Sequence, residues 1–226
     1  MRVFRCLTLI AVCATVALGQ DDTPRFEFFG GYSHLRQERI TSEDFKSVNG
    51  LTPAQVRALL GFPITTNQGK VSSNGFDLSA TGYVTKGFGF TGDFSGHFKT
   101  DNVTFFNQPT KSKLRDFNFL VGPQFKYFNN SRAAPFVRAL FGARRHRQTV
   151  TNVLATATDE YTKFAMALGG GLDVRAGKHM DIRLFQIEYL PVFAKDRRVV
   201  ATDGVIYDIR GGRRNDWRIS VGVVLK

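Results

Sequence analysis

The chain has 226 residues, of which 42% are hydrophobic and 22% charged, and its formal net charge is +12 at pH 7. It contains 22 Phe and 22 Gly but only two cysteines, Cys6 and Cys13. A disulfide-stabilised domain is therefore excluded beyond residue 13, and no later apolar run reaches the roughly 20 residues that a membrane-spanning helix needs. If the chain enters a membrane, it does so as strands.

The N-terminal segment has the features of a secretory signal peptide. Two arginines precede an apolar stretch over 7–18, which ends near the small residues Ala17 and Gly19. A membrane anchor is the alternative, but the stretch is short for a spanning helix. We predict a signal peptide at 1–19, cleaved after Gly19, and one domain at 20–226.

Eight later segments alternate apolar or small residues with polar residues, which is the period of a β-strand. In one of them Phe76 and Leu78 alternate with Asp77 and Ser79. We predict eight strands, approximately at 25–34, 74–84, 88–98, 113–127, 135–147, 161–174, 179–193 and 214–226.

Long and short connections alternate between these strands. The short ones lie near 85–87, 129–131 and 176–178, and the long polar ones at 35–73, 99–112, 148–160 and 194–213. This predicts an all-β fold: an eight-stranded antiparallel up-and-down transmembrane β-barrel with three short periplasmic turns and four longer extracellular loops. Because alternation does not say which face is inside, a soluble lipocalin-like ligand carrier with an apolar interior is the alternative.

Two local features are also predicted. The alternation changes phase within the seventh strand, so we expect a β-bulge near Leu184 and Phe185, where one extra residue restores the correct faces. In the first long connection, Thr52 and Pro53 stand at the positions of an N-cap and a first helical residue, which predicts a short helix through Leu60.

The opening segment 26–33, the closing segment 217–223 and the alternation of connections resemble the OmpA-like eight-stranded outer-membrane β-barrel family, over its transmembrane domain only. The resemblance implies export to a Gram-negative outer membrane and contact with the outer-membrane assembly machinery. We expect no peptidoglycan-binding domain. Family members often end on an outward aromatic residue, whereas this sequence ends on Leu225 and Lys226.

Charged residues of both signs fall on the polar face of the strands. In a barrel of eight strands they would share a narrow interior, where unpaired charge is costly. We predict an ion-pair network, with a gated ion or water path as the alternative. Its members are Glu27, Asp77, Asp93, Asp116, Lys126, Arg138, Lys163, Asp173, Arg175, Arg183, Glu188 and Arg218.

Arginines cluster near the extracellular ends of the fifth and eighth strands. Guanidinium groups bind phosphate with two hydrogen bonds, and a barrel rim at that height faces lipopolysaccharide phosphates. We predict such contacts for Arg144, Arg145, Arg147, Arg213 and Arg214, with plain solvated charge as the alternative. Nucleic acid is not expected, because no recognition helix is evident in an exported chain.

No catalytic, metal-binding or cofactor motif is present in the sequence. The histidines His34, His97, His146 and His179 lie on different segments, and Ser33 and His34 point to opposite faces of a strand. We therefore predict no catalytic residues, no metal and no cofactor. The predicted role is non-enzymatic: structural or surface-interacting, with at most minor porin-like permeability. A lipid A-modifying hydrolase is the enzymatic alternative.

Overall fold

A computed structural model of the chain describes residues 24–38, 45–48, 50–51, 70–105, 108–128, 131–151, 156–200, 206–209 and 211–226. The predicted signal peptide and the predicted helix after Pro53 lie outside the described residues. Within the described part of the chain, no helix is long and apolar enough to cross a membrane.

The strand bounds are β1 Phe26–Glu38, β2 Phe45–Val48, β3 Lys70–Tyr83, β4 Phe88–Phe105, β5 Gln108–Lys126, β6 Ala133–Thr151, β7 Thr156–Arg175, β8 Met180–Ala194, β9 Arg197–Val200, β10 Ile206–Ile209 and β11 Gly212–Leu225. Eight of these strands close into an antiparallel barrel in the order β1-β11-β8-β7-β6-β5-β4-β3, and each of the eight overlaps one predicted segment. The predicted fold class is confirmed.

The strands are staggered around the barrel. Following paired residues from Leu35 once around the barrel leads back to Arg25 and not to Leu35. Closure with such an offset requires strands that are tilted to the barrel axis. The path runs through Arg218, Glu188, Gly169, Arg138, Gln124, Gly89 and Tyr83.

Three short connections lie at the end of the barrel where β1 begins and β11 ends, which we call the turn end. The opposite end is called the loop end. In the turn between β3 and β4, Gly87 has a φ of 95°, and a Cβ at this position would lie 2.5 Å from the carbonyl oxygen of Lys126. Glycine is needed there because side chains rarely adopt that backbone conformation and the next strand is close.

The strands at the loop end are longer than predicted. The segments 99–112 and 148–160, predicted as loops, are largely paired strand: β4 and β5 pair as far as Phe105 and Gln108, and β6 and β7 as far as Thr151 and Thr156. These hairpin ends carry mainly polar residues on both faces, so the alternation of apolar and polar residues that predicts a strand was missing. Backbone hydrogen bonds between the strands form without an apolar face.

A second small sheet forms within the first and last long connections. In this sheet β10 pairs on one side with β9 and on the other with β2, both antiparallel. The predicted long loops at 35–73 and 194–213 therefore contain three short strands. This pairing joins the connection between β1 and β3 to the connection between β8 and β11.

The bulge in β8 is confirmed. Ser220 pairs with Gln186 and Gly222 with Arg183, so β8 has one residue more than β11 over this stretch. The pairing with β7 shifts at the same place. Leu184 and Phe185 are both exposed on the outer surface, while the side chains on either side of them are buried.

Deleting Leu184 should leave a folded barrel, because the remaining residues then alternate regularly and keep Arg183 and Gln186 inside. Deleting Ile187 should reduce folding, because it would turn Gln186 outward and Phe185 inward. The measurement is the fraction of refolded protein in lipid vesicles whose electrophoretic mobility changes on boiling. Equal folding of the two deletion variants would contradict the assignment of the bulge.

Candidate functional site

The outer surface of the barrel is apolar and the interior is polar. Phe28, Phe90 and Val121 are 57%, 57% and 66% exposed, whereas most buried side chains are polar or charged. A soluble lipocalin-like carrier requires the reverse distribution. Outward apolar side chains around a closed sheet, in which the backbone hydrogen bonds are satisfied between strands, are suited to lipid.

A central cluster of five buried charged residues crosses the interior. Arg138 Nε lies 2.5 Å from Glu188 Oε1, and Arg138 Nη2 lies 2.8 Å from Asp93 Oδ2. Arg218 contacts the same two carboxylates, at 2.6 Å and 2.9 Å. Asp77 lies within 4 Å of both guanidinium groups. These residues come from β3, β4, β6, β8 and β11, so the cluster joins walls that are far apart in the sheet.

A second cluster lies towards the turn end. The Lys126 ammonium group is 2.7 Å from Glu27, 2.8 Å from Asp173 and 3.7 Å from Asp181. Tyr83 donates a 2.8 Å hydrogen bond to Glu27. A single buried lysine thus holds three carboxylates from three different strands.

Arg183 connects these two clusters. Its guanidinium group donates to Asp173 Oδ1 at 2.7 Å and to Gln186 Oε1 at 2.6 Å. Gln186 in turn donates to Asp77 and Glu188 of the central cluster. It also lies between the rings of Phe29 and Phe136, at 4.3 Å and 4.1 Å from their centroids. Cation–π contacts on both faces of the guanidinium group favour this buried position.

A third cluster lies towards the loop end. Arg144 forms an ion pair with Asp216 and donates a 2.7 Å hydrogen bond to Asn118. Beside it, His146 Nδ1 is 2.6 Å from Asp116 Oδ1. The His146 ring stacks on Tyr161, with the ring centroids 4.7 Å apart.

Apolar side chains occupy the interior space between the central and loop-end clusters. Leu35, Leu120, Leu140 and Leu190 are almost completely buried and share a cluster with smaller neighbours. The interior is therefore filled by side chains, as expected for a barrel of eight strands.

Most of the predicted network lies where the sequence placed it. Two predicted members are not buried in the interior. Lys163 is half-buried near the loop end, with its ammonium group 4.0 Å from the centroid of the Tyr161 ring. Arg175 is exposed at the turn end of β7. Alternation along β7 places Arg175 on the same side of the strand as the buried Asp173, but Arg175 lies beyond the enclosed part of the barrel. The buried members are Glu27, Asp77, Asp93, Asp116, Lys126, Arg138, Asp173, Arg183, Glu188 and Arg218.

The structure adds members that the sequence analysis missed. Asp181 and Asp216 are buried and ion-paired, as is Arg144. Strand alternation could have found both carboxylates, since Asp181 lies two residues before Arg183 and Asp216 two residues before Arg218.

The predicted rim arginines do not form one surface. Arg144 is buried in the interior, because alternation along β6 turns it away from its outward neighbours Arg145 and Arg147. Its assignment to the outer rim is therefore wrong. Arg213 is exposed at the loop end of β11, and Arg214 is half-buried on the inward side of the same strand.

The histidines take part in local hydrogen bonds. His97 Nε2 is 2.9 Å from Ser33 Oγ, and neither residue has any exposed surface. His34 bonds to Asn74 at 2.8 Å. The serine–histidine contact is enclosed, so a substrate has no direct access to it. Within the described part of the chain, no group of histidine, cysteine and carboxylate side chains has the arrangement of a metal site.

The buried set contains five arginine or lysine residues and eight carboxylates. Among the described residues the interior thus has an excess of acidic groups, although the whole chain has a formal charge of +12. The positive charge that dominates the composition therefore lies outside the buried set.

Solved outer-membrane proteins are similar to this chain in fold. Neisserial surface protein A has 11% sequence identity and a TM-score of 0.49, covering 90% of this chain and 97% of its own. OprG from Pseudomonas aeruginosa has 11% identity and a TM-score of 0.47, covering 88% and 94%. The outer membrane protease OmpT from Escherichia coli has 7% identity and a TM-score of 0.47, covering 88% and 96%.

No protein-family model matches the chain, and no curated protein matches it. At these identities the likeness concerns the fold alone. The closed barrel and its apolar outer surface define the class as a transmembrane β-barrel. The predicted location, the outer membrane, is that of the similar proteins.

Replacing Arg218 with methionine should lower the free energy of unfolding by about 3–5 kcal/mol, because Asp93 and Glu188 would stay buried without this partner. The matched control is Arg145→Met. Its ion pair with Glu160 is on the surface, with the Arg145 side chain 61% exposed, so the loss should be below about 1 kcal/mol. Urea unfolding in lipid vesicles, followed by the fluorescence of the single tryptophan, measures both. Equal losses would contradict a stabilising role of the network.

Proposed function

We propose that this chain is a non-enzymatic outer-membrane β-barrel of the OmpA-like kind, with a structural or surface-interaction role and at most minor permeability. The observation that carries the proposal is the filled interior. The central cluster of Asp77, Asp93, Arg138, Glu188 and Arg218 joins five of the eight barrel strands.

A continuous ion path through this barrel would require several buried contacts to break together. Each of Arg138 and Arg218 binds two carboxylates at 2.9 Å or less, and Gln186 and Ser220 donate hydrogen bonds to Asp77. Removing one such partner leaves an uncompensated charge in the interior. The proposal therefore favours a closed barrel over the gated path.

The proposed partners lie around the barrel. Outer-leaflet lipid and lipopolysaccharide would surround its apolar surface, and Arg145, Arg147 and Arg213 point outward at the loop end. We also propose contact with the outer-membrane assembly machinery, through the last strand β11. An extracellular partner of the loops is not identified.

The enzymatic alternative, a lipid A-modifying hydrolase, has one candidate pair, Ser33 and His97. Because both side chains are fully enclosed, the proposal assigns their hydrogen bond a structural role. Mass spectrometry of lipid A from cells with and without the protein separates the two roles. A change in acyl pattern that Ser33→Ala abolishes would favour the hydrolase.

Planar-bilayer recordings test the closed interior. The unmodified protein should give no stable conductance steps, and the double variant Arg138→Ser, Glu188→Ser should give measurable leakage, because it removes the two long side chains of a central ion pair. The matched control is Arg145→Ser, Glu160→Ser, which removes a surface pair and should stay closed. Conductance steps of similar size from all three proteins would overturn the proposal.

A further inference from the structure

We propose that the outer surface of the β5–β6 pair at the loop end binds the phosphate groups of outer-leaflet lipids. The site is a shallow groove lined by Lys113, Arg115, Arg147 and Thr149, here called the basic groove. This inference deepens the proposed function and rests on it, since it requires the barrel to stand in the outer membrane.

The two strands place like charges directly opposite each other. Arg115 pairs in register with Arg147, and Lys113 with Thr149. The three basic residues are exposed on the outer surface. Like charges opposite each other destabilise a strand pair, so an anion bound between them would relieve the repulsion.

The protein itself supplies little negative charge to this groove. Arg147 Nε lies 3.8 Å from Glu160 Oε2, but the other oxygen of Glu160 is held by Arg145. Among the described residues, Lys113 and Arg115 have no hydrogen-bond or ion-pair partner. The groove is therefore cationic even where one carboxylate is near.

The groove lies directly beyond an aromatic part of the lipid-facing surface. Along β5 the outward residues change from Phe119 and Phe117 to Arg115 and Lys113 without an intervening neutral residue. Phe98, the register partner of Arg115, packs against Phe117 with the ring centroids 5.7 Å apart. Aromatic residues flank the apolar band of such barrels at the interface, which is the level of the lipid headgroups.

The donors suit a phosphate group. Two guanidinium groups can each give two parallel hydrogen bonds to phosphate oxygens, and the Lys113 ammonium group adds a point charge. The hydroxyl of Thr149 lies at the edge of the groove, 3.3 Å from that of Thr158. A headgroup phosphate at the interface would reach this surface from the side, with its acyl chains along the phenylalanines.

The experiment uses the full chain folded in a zwitterionic detergent. Its affinity is measured for bisphosphorylated lipid A, for the same lipid without phosphates and for inorganic phosphate. The test variant is Lys113→Gln, Arg115→Gln, Arg147→Gln. The matched control is Lys86→Gln, Arg132→Gln, Lys178→Gln, which removes the same charge from exposed residues at the turn end.

The test variant should bind bisphosphorylated lipid A at least about tenfold more weakly than the unmodified protein, because it loses all three cationic donors to the phosphate groups; tenfold corresponds to about 1.4 kcal/mol. The control variant should keep its affinity, and the dephosphorylated lipid should bind weakly to all three proteins. Both variants should retain a boiling-dependent mobility shift, which shows that they fold.

Three results would overturn the inference. Equal losses in both variants would indicate unspecific attraction by net charge. Unchanged affinity in the test variant would place the phosphate contact elsewhere. Displacement of lipid A by inorganic phosphate at similar concentrations would indicate a free-phosphate site. Any of these results in a folded, non-conducting barrel leaves the proposed function intact, whereas failure of the protein to insert into lipid would remove both.

Discussion

The structure depends on one constraint: a closed sheet whose outer face is apolar must place its polar side chains in a narrow interior. Eight strands leave room for side chains and little else. Charges in that space are stable only as pairs with further hydrogen bonds. The interior of this barrel meets that requirement, since its arginines and Lys126 each contact two or more acceptors.

The constraint also organises the chain along the barrel axis. Lys126 gathers carboxylates at the turn end, Arg138 and Arg218 share them at the centre, and Arg144 binds Asp216 at the loop end. Arg183, between two phenylalanine rings, connects the first two groups. Among the described residues the interior has an excess of carboxylates. Exposed basic residues such as Arg115, Arg147 and Arg213 lie outside it. The same separation of charge produces the basic groove.

The sequence allowed the barrel, the strand order and the bulge to be predicted, because all three depend on side-chain alternation. The phase change before Gln186 and Glu188 was sufficient to locate the bulge near Leu184. Alternation also explains what was missed: Arg144 was grouped with its neighbours as one basic run, although successive strand residues face opposite sides.

Other features could not be predicted from a local pattern. The hairpin ends near Phe105 and Thr151 carry mainly polar residues, with only isolated apolar ones such as Val103 and Val150, so no sustained alternation marks them as strand. The contact between Ser33 and His97 joins residues that are distant in sequence and depends on the stagger of the strands. The opposition of Arg115 and Arg147 likewise requires the register of β5 and β6.

The most direct test of the central claim is the environment of three consecutive residues in β5. Single cysteines at Phe119, Leu120 and Val121, each carrying a small fluorophore, are placed in vesicles with brominated lipid chains. Phe119 and Val121 are 55% and 66% exposed on the outer surface and Leu120 is 1% exposed. The account predicts strong quenching at 119 and 121 and weak quenching at 120. Stronger quenching at 120 than at its neighbours, or no quenching at any of them, would contradict a barrel with lipid outside and an ion-paired interior.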